Sequence, residues 1–426
     1  MSADMPKNIN TLNSNILRGS MLFRILCITI CIRYDMPKGK TIFAQLLDVV
    51  PDYELKKCID RYNGDKGCKK YNCRDQFKVM SFAQLTSRRS LRVTEATLHM
   101  LAPKLYHSGL KVMGKSTIAE MNESKPWLIY RDYAMFLVER ARELCRDDRY
   151  RLDLDNMVYA FDSSTIHLCL SLCPWAKSHG DAGGVKLHTL LEVKSRIPTF
   201  VWLSEASIND VNGIDVMPVD AGSIYLMDKG YVDFGRLYNR IHLQGAFFVT
   251  RAKDNMVYEV VVSRPVDKTT GLISDEDIKL TGKMPSQDYP DRLRLVTYED
   301  FATGNVYQFL TNLRTVDALT IAELYRERWH VELFFKWIKQ HLRIKTFFGT
   351  SENAVFTQIW IAVCDYLLLL ICHKNYHIEQ DLYILSEAIG PVLFDEIPMS
   401  ELFKQSKFLQ ERRKMDEYAW PELRFE

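Results

Sequence analysis

The sequence predicts a mixed α/β fold: an all-helical region at the front, then a mixed sheet interrupted by a β-rich insertion. Three observations predict it. Apolar residues recur three and four apart through "RDQFKVMSFAQLTSRRSLRVTEATLHM" (74–100), the helical period, with basic side chains between them. From 156 the texture turns to short β-branched and aromatic runs bounded by turn residues. A helical stretch, "FGRLYNRIHLQ" (234–244), then separates the first group of runs from a second that begins near 252.

Residues 1–35 stand apart. "MLFRILCITICIRY" (21–34) is apolar but shorter than the ~20 residues of a membrane span, and no small-residue cleavage site follows it. Met36 opens "MPKGKTIFAQLL", which reads as a natural start, so 1–35 is expected to be a non-native or disordered leader. Residues 36–150 are expected to form a helical DNA-binding domain. Within it, "GLKVMGKSTIAEMNESKPW" (109–127) suits a helix-turn-helix, with Gly114 in the turn and Ser116 capping a helix from Thr117. A purely structural helical hairpin fits equally well.

The net charge of +2 conceals an asymmetry. Between 36 and 115 there are 16 Lys and Arg against 7 Asp and Glu, whereas from 151 onward the balance is 30 against 38. A basic front suits a polyanion, and an acidic rear can gather cation-holding carboxylates; uneven surface charge is the plain alternative. The ten cysteines form no paired C-x2-C motif, which excludes a standard zinc site and favours buried free thiols.

"NMVYAFDSSTIHLCL", "GGVKLHTLLEV" and "TFVWLSEAS" suggest three consecutive antiparallel strands, and "GSIYLMDKGY" and "GAFFVTRA" two more, over 151–251. Short strands follow at 252–315, then a long helix from about 319 to 343 within a segment 316–375, and a helical tail at 376–426. "AVFTQIWIAVCDYLLLLICH" (354–373) is interrupted by Gln358 and Asp365, so a core helix is expected and no membrane span.

Asp162 and Asp228 each stand at or near the end of an apolar strand, where a carboxylate must be paired, bind a cation or serve a turn. The third acid lies in "YRERWHVELFFKWIKQ" (325–340). At about 100° per residue, Tyr325, Arg328, Glu332 and Lys339 fall within an arc of about 60°, with Trp329 and Lys336 on its flank. Leu333, Phe334 and Ile338 are placed away from it, free to pack. Three carboxylates can hold two Mg²⁺ ions, Arg and Lys neutralise phosphates, and Trp offers a stacking surface. An exposed face of i,i+4 ion pairs is the competing account.

Tyr325-x2-Arg328-x3-Glu332-x6-Lys339 resembles the Y-R-E-K signature of the insertion-sequence-four group of DDE transposases. "YAFDSSTI" (159–166) and "YLMDKGY" (225–231) resemble the segments bearing that family's first and second Asp. The resemblance spans about 36–375. It implies a ribonuclease-H-like core with Asp162, Asp228 and Glu332 as catalytic, metal-binding triad, with the β-rich insertion between the second and third acids. It also implies two Mg²⁺ ions per site, with Mn²⁺ substituting, and a homodimer on paired inverted-repeat ends of double-stranded DNA. Tyr325, Arg328 and Lys339 would contact terminal phosphates, and Trp329 and Lys336 a flipped base and the strand end. Lys186 and His188, in "GGVKLHTLL", would reach DNA beside the metals, or serve as a strand lysine and a satisfied histidine.

The expected activity is cut-and-paste transposition in the bacterial cytoplasm, at the nucleoid: hydrolysis at the element's end, then attack of the 3′-hydroxyl on target DNA. Two rivals are a nuclease of the same fold without strand transfer and an inactive DNA-binding relative.

Overall fold

All ten residues of Gly183–Glu192 are buried, as a strand covered on both faces requires, and this run, which includes Lys186, His188 and Glu192, anchors the sheet as β2. The computed structural model describes residues 39–402 except 149–151, 153, 170, 177–182, 343–346 and 379. The leader 1–35 and the part of the tail from 403 to 426 therefore lie outside the described residues.

Nine strands form one sheet: β1 (Val158–Leu168), β2, β3 (Ile197–Glu205), β4 (Ile224–Met227), β5 (Phe247–Arg251), β6 (Tyr258–Arg264), β7 (Leu272–Leu280), β8 (Leu293–Asp300) and β9 (Asn305–Thr311). Their order is β3-β2-β1-β4-β5-β9-β8-β7-β6. The first three are antiparallel neighbours, as the sequence suggested, and β4 and β5 run parallel to β1. This is the mixed sheet of a ribonuclease-H-like core. The strands of 252–315 do not fold apart from it. They continue the same sheet through antiparallel pairing of β9 with β5, and β6 becomes the far edge.

Alternation along β1 divides the molecule into two layers. Tyr159 and Phe161 enter one apolar cluster with Tyr225, Tyr231 and Phe248. Val158, Ala160 and Ile166 enter the larger cluster on the opposite face, together with the front helices.

Those helices are α1 (Ile42–Leu47), α2 (Asp52–Arg61), α3 (Cys73–Leu85), α4 (Leu91–Met100), α5 (Ala102–Ser108), α6 (Lys115–Ser124) and α7 (Leu128–Cys145). Local chemistry sets several of their starts. Asn72 and Asp75 form a reciprocal capping box on α3, and Ser90 caps α4. Gly109, at φ +64°, ends α5 in the left-handed conformation. Helix α6 begins at Lys115 behind Gly114, so Ser116 sits inside the first turn and is not its cap.

Besides short helical turns within the sheet region, such as Gly213–Val216 and Pro285–Asp288, the later helices are α8 (Ala318–Glu327), α9 (Trp329–Leu342), α10 (Glu352–Asn375) and α11 (Leu382–Val392). Helix α10 is long and apolar enough to cross a membrane, but its apolar window is wholly buried inside the protein. It packs against α3, α6, α7, α9 and α11. The Gln84 side chain donates to the Gln358 carbonyl, and Asn353 donates to the carbonyls of Asn122 and Lys125. The front helices and one face of the sheet thus share one core.

The single helix expected over 319–343 is two. The Arg328 N–H bonds the Tyr325 carbonyl, and the Val331 N–H bonds the Arg328 carbonyl, each spanning three residues. This tight turn interrupts the α-helical ladder at Arg328.

Candidate active site

The register of two parallel strands places the first two acids. Val158, Tyr159 and Ala160 pair with Ile224, Tyr225 and Leu226, a constant offset that sets Asp162 level with Asp228. Neighbouring strands lie about 4.8 Å apart, so the two carboxylates start from adjacent points, where β4 ends and β1 runs on to Leu168.

The third acid arrives from α8 and α9, which pack across β4, β5, β1 and β2. The Tyr325 hydroxyl donates to Asp228 Oδ1 at 3.2 Å, and its ring packs on Phe309 with centroids 4.9 Å apart. Arg328 lies between the other two acids, 3.4 Å from Asp162 Oδ2 and 2.5 Å from Glu332 Oε1. Its guanidinium also stands over the Tyr325 ring, 5.6 Å from the centroid.

The electrostatics follow from this crowding. Burial pushes the Asp162 carboxyl up to about 6; Arg328 pulls it down, while Glu332 and Asp228 push it up further. Burial opposes the charge on Arg328, but Tyr325, Asp162 and Glu332 together raise its pKa above the usual guanidinium range. Burial lowers the pKa of Lys339, against the pull of Asp162. Two of the three acids therefore meet at one guanidinium and the third at a phenol, with a lysine alongside.

The stripe read from the sequence does converge, but its members face different surroundings. Tyr325 and Arg328 are buried against the acids rather than displayed, whereas Glu332, Lys339 and Trp329 are half-buried. Lys336 is exposed and lies over the Tyr383 ring of α11 at 5.4 Å. Phe334 and Ile338 are buried as expected, but Leu333 is 39% exposed and does not pack on the sheet.

Lys186 and His188 do not present free groups to DNA in this structure. Lys186 is buried, with its ammonium 2.8 Å from Asp210 and donating to the Ile208 carbonyl. His188 is wholly buried, stacked on Trp202 and hydrogen-bonded to Ser204. Burial pushes its pKa down to about 4, with Asp210 pulling the other way, so the ring is neutral near pH 7. The polar groups that reasoning from sequence left unassigned are Ser163, Asp210 and Tyr231, which adjoin Asp162. The signal for Tyr231 was present in the "DKGY" segment; Asp210 sits in a turn, "INDVNG", that looks like any other.

Known proteins resemble the chain over much of its length. Residues 153–368 match the family described as a transposase DDE domain, and 38–111 match a domain of unknown function. The chain is 33% identical over 287 residues to a chain named as a transposase, y4zB, of Sinorhizobium fredii, covering 66% of this chain and 78% of that one. It is 29% identical over 263 residues to one named as the transposase of insertion sequence element IS5377 in Geobacillus stearothermophilus, covering 61% and 68%. Among solved structures it aligns with a piggyBac transposase synaptic complex with hairpin DNA, at 10% identity and a TM-score of 0.43, covering 92% of this chain and 88% of that one. The family match covers half the chain and contains all three acids: the chain belongs to the DDE transposases of insertion sequence elements.

Proposed function

We propose that the protein cuts DNA at the ends of its insertion sequence and joins the freed 3′-hydroxyls to target DNA, with Asp162, Asp228 and Glu332 as the catalytic acids. The observation that carries this reading is the meeting of Asp162 and Asp228, level on adjacent parallel strands, with the Tyr325–Arg328–Glu332–Lys339 stripe. DDE transposases bind DNA and use a divalent metal.

The donor set suits a hard cation. All three groups are carboxylates, and the upward push on Asp162 from its two acidic neighbours is a repulsion that a cation would relieve. Among the described residues no three His, Cys, Asp or Glu side chains are grouped closely enough to hold a metal ion, and Arg328 lies between Asp162 and Glu332. Mg²⁺ keeps waters and shares substrate phosphates as ligands, so it needs no closed cage of protein groups. We assign two Mg²⁺ ions per site, replaceable by Mn²⁺. Bound there, such ions would supply positive charge to a phosphate undergoing in-line displacement.

The protein's own groups do the remaining work. Tyr325 holds Asp228, Arg328 holds Asp162 and Glu332, and Lys339 adds positive charge where a phosphate approaches. Trp329, at the start of α9, offers a ring to a displaced base, and exposed Lys336 a charge to the strand end. The partners are inverted-repeat ends and target duplex, held by a homodimer at the bacterial nucleoid in the cytoplasm.

The test is Asp162→Asn, Asp228→Asn and Glu332→Gln in a cleavage and joining assay with the element's ends. Each should abolish cleavage and leave end binding intact. Full cleavage in any one removes that acid from the site. Cleavage without joined products in the wild type would leave a nuclease.

A further inference from the structure

The two oxygens of Asp162 have different surroundings. Oδ1 accepts the backbone N–H of Ser163 at 2.8 Å and lies 3.3 Å from the Tyr231 hydroxyl. Oδ2 points the other way, toward Arg328.

Behind Tyr231 stands a chain of polar groups. Its hydroxyl is 2.9 Å from Ser163 Oγ, which is itself 2.6 Å from Asp210 Oδ1. Asp210 is ion-paired to Lys186 at 2.8 Å, and Lys186 is anchored on the Ile208 carbonyl. Proton counting fixes the direction. The Asp210 carboxylate, whose pKa is held down chiefly by Lys186 and Ser163 against the effect of burial, only accepts. Ser163 must therefore donate to Asp210. That leaves Ser163 Oγ to accept from Tyr231, whose single proton is shared between Ser163 and Asp162.

Tyr231 has little freedom to do otherwise. It is 3% exposed, and its ring packs edge-on against Phe161 with centroids 5.3 Å apart. Gly213 packs closely against the same Phe161 ring. A Cβ there would stand 2.7 Å from Phe161 and 2.9 Å from His188 Nδ1, too close for either to remain in place.

We infer that Tyr231, backed by Ser163, Asp210 and Lys186, is a positioning residue that fixes the carboxylate plane of Asp162 and leaves Oδ2 as the oxygen offered to a divalent cation. This rests on the reading of Asp162 as a metal ligand. Groups that orient a ligand from behind are worth roughly 10–100-fold in metal affinity.

The experiment is calorimetric titration of Mn²⁺ into the full chain, alone and with bound duplex DNA. Wild type is compared with Tyr231→Phe, Ser163→Ala and Asp162→Asn, and the thermal midpoint of each is recorded. Tyr231→Phe keeps the packed ring and removes only the hydroxyl. The expected result is a Kd for Mn²⁺ raised roughly 10–100-fold in Tyr231→Phe. The Ser163→Ala variant should fall in the same direction, and excess Mn²⁺ should restore cleavage in both. A purely structural role would lower the thermal midpoint and leave the Kd unchanged, which would overturn the proposal. Binding lost in Asp162→Asn but equal to wild type in Tyr231→Phe would also overturn it while sparing the metal site. Equal binding in wild type and Asp162→Asn would overturn the metal assignment and this proposal with it.

Discussion

The hydroxyl of Tyr325 meets Asp228, 97 residues earlier in the chain, at 3.2 Å. This contact makes the first residue of the Y-R-E-K stripe a partner of the second acid. Tyr325 is 5% exposed and its ring is fixed by Phe309, so the phenol is delivered to Asp228 by packing. Tyr325→Phe keeps that packing and removes the hydrogen bond alone. The expected cost in stability is about 1 kcal/mol, while cleavage at saturating DNA falls roughly 10-fold because Asp228 loses its orienting group. Urea unfolding and single-turnover cleavage measure the two effects separately. Unchanged cleavage would mean that the phenol matters only for packing.

Asp162 carries the clearest pH signature. Its carboxyl is pushed up to about 6 by burial, against an unfolded value of about 3.9. The folded protein therefore holds this proton more tightly than the unfolded chain. Ionised Asp162 costs stability, fully so above about pH 6, and the cost fades as pH falls from about 6 toward 4. Asp162→Asn mimics the neutral acid. Without divalent metal, it should be more stable than wild type by about 3 kcal/mol at pH 8, the product of a two-unit shift and 1.36 kcal/mol per unit. The gain should level off above pH 6 and vanish near pH 4. Denaturation at pH 4.5, 6 and 8 checks it, and a less stable variant at pH 8 would show that Arg328 more than offsets the burial.

Much of this site was legible in the sequence because its signals are local. Helical spacing brought Tyr325, Arg328, Glu332 and Lys339 to one side, and a carboxylate following an apolar run marked both 162 and 228, although β1 runs on past Asp162 to Leu168. The break at Arg328 was not legible, since neither proline nor glycine announces it; it follows from tertiary contacts that draw the guanidinium between Asp162 and Glu332. Burial of Lys186 and His188 depends on Asp210 and Trp202 arriving from other segments. The merging of 252–315 into the main sheet depends on β5 meeting β9, a pairing across some sixty residues that no local pattern encodes.

Lys339 sits half-buried beside Asp162, with its charge opposed by burial and favoured by the carboxylate. A phosphate arriving there would gain a cation already desolvated in part. Lys339→Ala should weaken duplex binding at every sequence alike and reduce the slope of log affinity against log salt by about 0.9, the signature of one lost phosphate contact. A salt titration from low to physiological ionic strength supplies the slope. No change in slope would place the ammonium against protein carboxylate in the complex as well.

Asp365 tests the core rather than the site. It lies in the middle of α10, wholly buried, and neither carboxyl oxygen has a well-formed hydrogen bond among the described residues. Burial pushes its pKa well above the usual carboxylate range; the Ser81 hydroxyl lies near enough to pull slightly the other way without aligning. A carboxyl so placed is held neutral, because the charged form would have no compensating partner. The sign is that of Asp162: stability from this group is complete below the unfolded pKa and is lost as pH rises toward the folded one. Asp365→Asn removes the titration and keeps the shape. Its stability relative to wild type should therefore rise between pH 5 and pH 8, measured by urea midpoints, with no effect on Mn²⁺ affinity. A variant that instead loses stability equally at both pH values would show that the acid proton makes a hydrogen bond in the core that the amide cannot replace.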